Sequence, residues 1–152
     1  MSEFKLIHCE DEESLLQMHE IREKVLFTTG KYDRHHADDK NPNNYCFIFM
    51  VNNKSVGTVR LDFIECDKAA VRLVAVLPEY RGQKIGSAML YAIEDYAKQK
   101  GVITLVTNSA VNAKGFYEAI GYVSENWIDP GEGTSELTIP MTKKLIPLSK
   151  TE

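Results

Sequence analysis

The run VAVLPEYRGQKIGSA, Val74 to Ala88, places an apolar β-branched stretch, a turn at Pro78, a short basic loop with glycines and an amphipathic helix in immediate succession. A strand that enters a helix through such a loop builds an anion cradle. The first-turn amides lack intrahelical acceptors, and the helix dipole puts its positive end at the same place. Gly82 and Gly86 permit close backbone approach, while Arg81 and Lys84 add positive charge where a diphosphate would sit. Gln83, Ile85 and Ser87 complete the turn into the helix. The loop lacks the G-x-x-x-x-G-K-[ST] spacing of a P-loop and the G-x-G-x-x-G of a dinucleotide fold. Spacing alone leaves two readings, a phosphate-bearing ligand or a solvated basic turn.

The flanking pattern alternates strands and helices. Phe4 to Cys9 reads as a strand, and Glu13 to Phe27 as a helix with Leu15, Met18, Ile21, Arg22 and Val25 at helical spacing, capped by Asp11 or Ser14. Thr28 to Asn44, rich in Asp, Asn and His, reads as a long loop or broken helix. Tyr45 to Val51 and Ser55 to Ile64 form a hairpin about Asn52-Asn53-Lys54, and Ala69 to Leu77 continues the sheet. The helix after the cradle carries Ile85, Ala88, Met89, Ala92, Ile93 and Tyr96 on one face and ends at Gly101. Val102 to Thr107 is a buried strand, and Asn112 caps a short helix to Ile120 that Gly121 ends. Tyr122 to Trp127 and Glu136 to Leu145 close the sheet, joined by the turn-rich Asp129-Pro130-Gly131-Glu132-Gly133.

The segment from Leu73 to Leu90 resembles the acyl-CoA-binding motif of the GNAT superfamily of N-acyltransferases, in which an R/Q-x-x-G-x-G/A loop holds the CoA pyrophosphate. Lys84 stands where that motif has its first glycine; a helical φ would accommodate it. Downstream, Ala113 to Tyr122 resembles the family's A-x-x-F-Y-E-x-x-G-[FY] segment, with Phe116 and Tyr117 at its centre. The resemblance implies an α/β fold of mixed α+β character. Its sheet would be twisted and mostly antiparallel, of six to seven strands, splayed between Ala69-Leu77 and Val102-Thr107 and flanked by four helices. It also implies an acetyl-CoA-dependent N-acetyltransferase acting on a primary amine of a small molecule or protein, by direct attack in a ternary complex. A CoA-binding sensor or interaction module without transferase activity is the alternative.

On the same resemblance, pantetheine pairs with the backbone near Val74, Ala75 and Val76, the cradle from Arg81 to Ser87 holds the pyrophosphate, and Asn108 or Asn112 contacts CoA. Tyr117 becomes the proton donor to the thiolate. A phenol of pKa ~10 protonating a thiolate whose acid is near 8.5 works uphill by about 2 kcal/mol, which a hydrogen bond can cover. For the base, Asp62, Glu65 or a water chain is open, since Arg72 occupies the stretch where such enzymes often place a carboxylate. His35, His36, Asp38 and Asp39 are read as part of an acceptor loop whose acids favour a cationic amine; no metal is expected.

The chain of 152 residues is the size of one domain, so residues 1–152 are expected to form a single N-acetyltransferase domain. A net charge of −4 argues against nonspecific nucleic-acid or anionic-membrane partners. The N-terminal segment MSEFKLIHCEDEES lacks an apolar signal-like run, which suggests a cytoplasmic protein, as monomer or homodimer. Cys9, Cys46 and Cys66 are odd in number and widely spaced, so they read as reduced thiols rather than a disulfide framework or a zinc site.

Overall fold

A computed structural model describes residues 2–131 and 137–146. The strands are β1 (Phe4–His8), β2 (Asn44–Val51), β3 (Lys54–Glu65), β4 (Lys68–Val76), β5 (Thr104–Ala110), β6 (Val123–Ser124) and β7 (Thr138–Lys144); the helices are α1 (Glu12–Val25), α2 (Ala37–Lys40), α3 (Ile85–Gln99) and α4 (Lys114–Ala119). The strands follow the order β1-β2-β3-β4-β5-β7-β6, and β4 runs parallel to β5 while the other described ladders are antiparallel. The expected mixed, mostly antiparallel sheet with four helices is therefore the fold. The chain forms two compact units, Met1–Asp62 with Arg72–Ile93, and Phe63–Val71 with Glu94–Glu152.

In the first unit, α1 starts where Asp11 accepts the Ser14 amide at 2.7 Å, which selects Asp11 as the cap. Met18, Ile21 and Arg22 form its buried stripe, and Met18 packs with Cys9, Cys46 and Ile48. The β2–β3 hairpin turns through Asn52 and Asn53 at φ 50° and 67°, the positive pair a two-residue type I′ loop requires and asparagine tolerates. On β3, Gly57 is where the backbone meets α3: a Cβ there would lie 2.9 Å from Met89 Sδ and 3.0 Å from the Ala75 carbonyl oxygen.

In the second unit, the β4–β5 ladder pairs Lys68, Ala69 and Ala70 with Thr104, Leu105 and Val106. Further along β4, in the part that belongs to the first unit, Leu73 takes φ 53°, a left-handed conformation that interrupts the pleat. Helix α3 ends as expected at Gly101, φ 87°, with Val102 N–H bonded to the Ala97 carbonyl and Gly101 N–H to that of Lys98. That cap occupies Val102, so β5 begins at Thr104 and extends to Ala110, later than the expected Val102 to Thr107. A 3-10 turn at Val111–Ala113 precedes α4, and no side chain caps it; Asn112 is not the cap. β6 is two residues rather than Tyr122 to Trp127, and Glu132, Gly133 and Glu136 lie outside the described residues.

Because Gly57 faces a fully buried methionine and a backbone oxygen, Gly57→Ala should lower unfolding stability by about 1–3 kcal/mol from overpacking. Urea unfolding checks this.

Candidate functional site

The 3-10 turn Pro78–Tyr80 reverses the chain after β4, and α3 begins at Ile85. Between them Gly82 has φ 78° and Lys84 φ 61°, so two of the four linking residues are left-handed, the alternation from which backbone amides form an anion nest. The helical φ expected at Lys84 is overturned. Lysine occupies a conformation that glycine adopts freely, at a cost of about 1–2 kcal/mol. Arg81, Gly82, Gln83 and Lys84 are exposed, a Cβ on Gly82 would meet nothing within 4 Å, and Arg81 Nε donates to the Val76 carbonyl at 3.3 Å. Ile85 is buried, with Gly86 and Ser87 half-buried. An open loop with left-handed turns, two cations and a helix start fits a diphosphate. On β4, Ala75 is buried and Val74 and Val76 are half-buried.

The second unit holds the other motif. Tyr117 is 6% exposed; its ring meets Tyr122 edge-on at 5.2 Å and Phe116 at 5.1 Å. Burial pushes its phenol above the ordinary tyrosine value, and a hydrogen bond with Thr107 offsets part of that rise. Asn108 donates its amide to Asp129 at 2.9 Å, whereas Asn112 is exposed. Trp127 Nε1 donates to the Thr107 carbonyl at 3.0 Å, and with Ile128, Glu65, Lys68 and Thr142 it lines a groove of about 480 Å³. This groove escaped the sequence reading because Trp127 was assigned to a strand.

A polar cluster in the first unit alters two expected roles. Arg22, 1% exposed, donates from Nη1 to Asp39 at 2.8 Å and to the Tyr32 hydroxyl at 3.1 Å; its Nε has no partner among the described residues. Arg60 donates to Asp39 at 3.1 Å and holds Asp62 by two bonds of 2.7 and 3.0 Å, and Arg72 Nε adds a third to Asp62 at 2.8 Å. Asp62 is thus a buried counter-ion with both oxygens committed to guanidinium donors, which disfavours it as a base. Asp39 is likewise a counter-ion rather than an acceptor-binding acid. The sequence signal was Arg22 on an otherwise apolar helix stripe.

Burial raises the Asp39 carboxyl, but the bonds and charges of Arg22 and Arg60 outweigh it and leave the group below the ordinary value. His36 accepts the Asp38 amide at 3.1 Å and caps α2. Among the described residues no group of three or more His, Cys, Asp or Glu has metal-binding geometry. All three cysteines are free; burial pushes the Cys9 thiol up to about 12 and that of Cys46 to about 11, which disfavours the thiolate at both. No described helix is long and apolar enough to cross a membrane.

The acetyltransferase (GNAT) family model matches residues 12–122. An uncharacterized acetyltransferase of Streptococcus pyogenes is 28% identical over 119 residues, covering 76% of this chain and 77% of the relative. Among solved structures, an aminoglycoside 6'-N-acetyltransferase complexed with coenzyme A aligns over 96% of this chain and 99% of its own, with a TM-score of 0.75 at 14% identity. The ribosomal-protein-S18-alanine N-acetyltransferase of Escherichia coli aligns over 99% and 97%, with a TM-score of 0.73 at 19% identity.

Asp39→Asn should cost about 3–5 kcal/mol at neutral pH, because two guanidiniums then lose their shared charge. A carboxyl whose folded pKa is depressed stabilises above its unfolded pKa and loses that contribution as pH falls through the folded value. The stability gap between parent and variant should hold above pH ~4 and close below it. Denaturant unfolding at a series of pH values reads the gap.

Proposed function

The chain belongs to the acetyltransferase (GNAT) family and is an acyl-CoA-dependent acetyltransferase; on that premise we propose that it moves the acetyl group of acetyl-CoA to a primary amine by direct attack in a ternary complex. The observation that carries the cofactor half is the loop from Arg81 to Lys84, with its left-handed Gly82 and Lys84 opening into α3. In this reading the amides at the start of α3, with Arg81 and Lys84, hold the pyrophosphate, and the backbone at Val74 to Val76 receives pantetheine as an added strand. Asn112 and Phe116 complete the cofactor contacts. Asn108, bonded to Asp129, serves by ordering the segment that carries Trp127.

The amine nitrogen bonds to the thioester carbonyl carbon, the C–S bond breaks, and the sulfur takes the Tyr117 hydroxyl proton while the amine proton leaves to a base. Burial keeps Tyr117 protonated through the working range, although it widens the uphill gap to the thiol that the hydrogen bond to sulfur must cover. With Asp62 committed to Arg60 and Arg72, the base is Glu65, exposed at the rim of the Trp127 groove, or solvent. The acceptor in this reading is a primary amine of a small molecule or of a protein, and the exposed acid Asp38 of the acceptor loop favours a cationic one.

Two measurements test this reading. Calorimetry should show the acetyl-CoA dissociation constant rising about tenfold in Arg81→Ala at low salt, as one charge-assisted hydrogen bond is lost; an unchanged constant would place the pyrophosphate elsewhere. Tyr117→Phe, assayed by CoA release against a panel of primary amines, should lower kcat by about 10²–10⁴-fold with little change in acetyl-CoA affinity. The alkaline fall in the parent's rate should lie above the ordinary tyrosine range and vanish in the variant. Parental kcat in Tyr117→Phe would return the tyrosine to a packing role.

A further inference from the structure

Helix α4 is six residues long and has no side-chain N-cap, so the placement of Tyr117 depends on how its other end is held. Gly121 ends it at φ 101°, with the Gly121 amide bonded to the Glu118 carbonyl at 3.1 Å and the Tyr122 amide to the carbonyl of Tyr117 itself at 3.0 Å. One carbonyl of this cap, that of Ile120, accepts from Lys143 Nζ on β7 at 2.6 Å. The same ammonium donates to Glu94 Oε2 on α3 at 2.8 Å. Both side chains are largely shut from water, 16% exposed for Lys143 and 8% for Glu94.

The contact is built closely. A Cβ on Gly121 would sit 2.9 Å from Lys143 Cε, so the lysine stem lies where only glycine leaves room. The far side of the cap is Tyr122, 3% exposed, whose ring meets that of Tyr117. A single cation therefore joins β7, α3 and the C-terminus of α4, where positive charge also complements the carbonyl end of a helix. Without it Glu94 is left buried and unpaired, and the Ile120 carbonyl loses its donor.

Resting on the role of Tyr117 given above, we propose that Lys143 and Glu94 are a positioning pair that sets the Tyr117 hydroxyl for proton transfer to the CoA sulfur. Neither touches the reacting atoms. They fix the cap from which the tyrosine projects, and small misplacement of a proton donor is costly in rate. Loosening the cap should act as a partial loss of the Tyr117 hydroxyl.

The test is titration of the thiol of bound CoA, followed by thiolate absorbance, in the parent, Tyr117→Phe, Lys143→Met and the double variant. A hydroxyl donating to sulfur stabilises the thiolate, so Tyr117→Phe should raise the bound thiol's titration by about one pH unit, a tenfold change. Lys143→Met should raise it in the same direction and add nothing further in the Tyr117→Phe background. Glu94→Gln, which keeps the side-chain shape, should reproduce the shift and serves if Lys143→Met fails to fold. An unshifted titration in Tyr117→Phe overturns the role of Tyr117 and this inference with it. A shift in Tyr117→Phe with none in Lys143→Met or Glu94→Gln, or an additive shift in the double variant, overturns the positioning pair alone.

Discussion

Placing the Arg22 guanidinium under helix α1 removes it from water, at a cost of several kcal/mol unless a counter-charge is buried with it. Asp39 supplies that charge, and because it also binds Arg60, one carboxylate ties α1, α2 and β3 together. Arg60 and Arg72 converge in turn on Asp62, so β3 and the later half of β4 share the network. The β4 residues that follow, Val74 to Val76, lead directly into the cradle loop. Electrostatic order in the first unit thus ties β3 to the strand that leads into the basic loop.

Local chemistry was legible in the chain. The Asn52-Asn53 turn, the Asp11 cap, and the glycine ends of α3 and α4 all appear where the residues call for them, because each depends on atoms within a few positions. The succession of strand, loop and helix from Val74 to Ala88 was legible for the same reason, and the family resemblance is upheld by the match over residues 12–122. Long-range partners were not. Nothing beside Asp39 says that it lies against Arg22 and Arg60, so it read as a surface acid. Asn112 was read as a cap from residue type, yet a 3-10 turn occupies its position. Lys84 read as helical because its side chain disfavours the left-handed turn that the loop imposes.

The two units differ in the residues they present. The first presents the exposed basic loop; the second holds a buried tyrosine on a short helix, braced by Tyr122 and by the Lys143–Glu94 pair. Burial raises the Tyr117 phenol above the ordinary tyrosine value, which keeps the hydroxyl neutral for the role proposed for it. Among the described residues the buried carboxylates Asp62 and Glu94 are both committed, Asp62 to Arg60 and Arg72 and Glu94 to Lys143.

Direct attack without an acyl-enzyme is the central claim, and neither buried thiol, raised to about 12 at Cys9 and about 11 at Cys46, is suited to carry the acetyl group. Initial velocities measured while acetyl-CoA and an accepted primary amine are both varied test it most directly. The account predicts intersecting reciprocal plots and no gain of acetyl mass when the protein is held with acetyl-CoA alone. Parallel plots together with a stoichiometric acetyl-enzyme would contradict it.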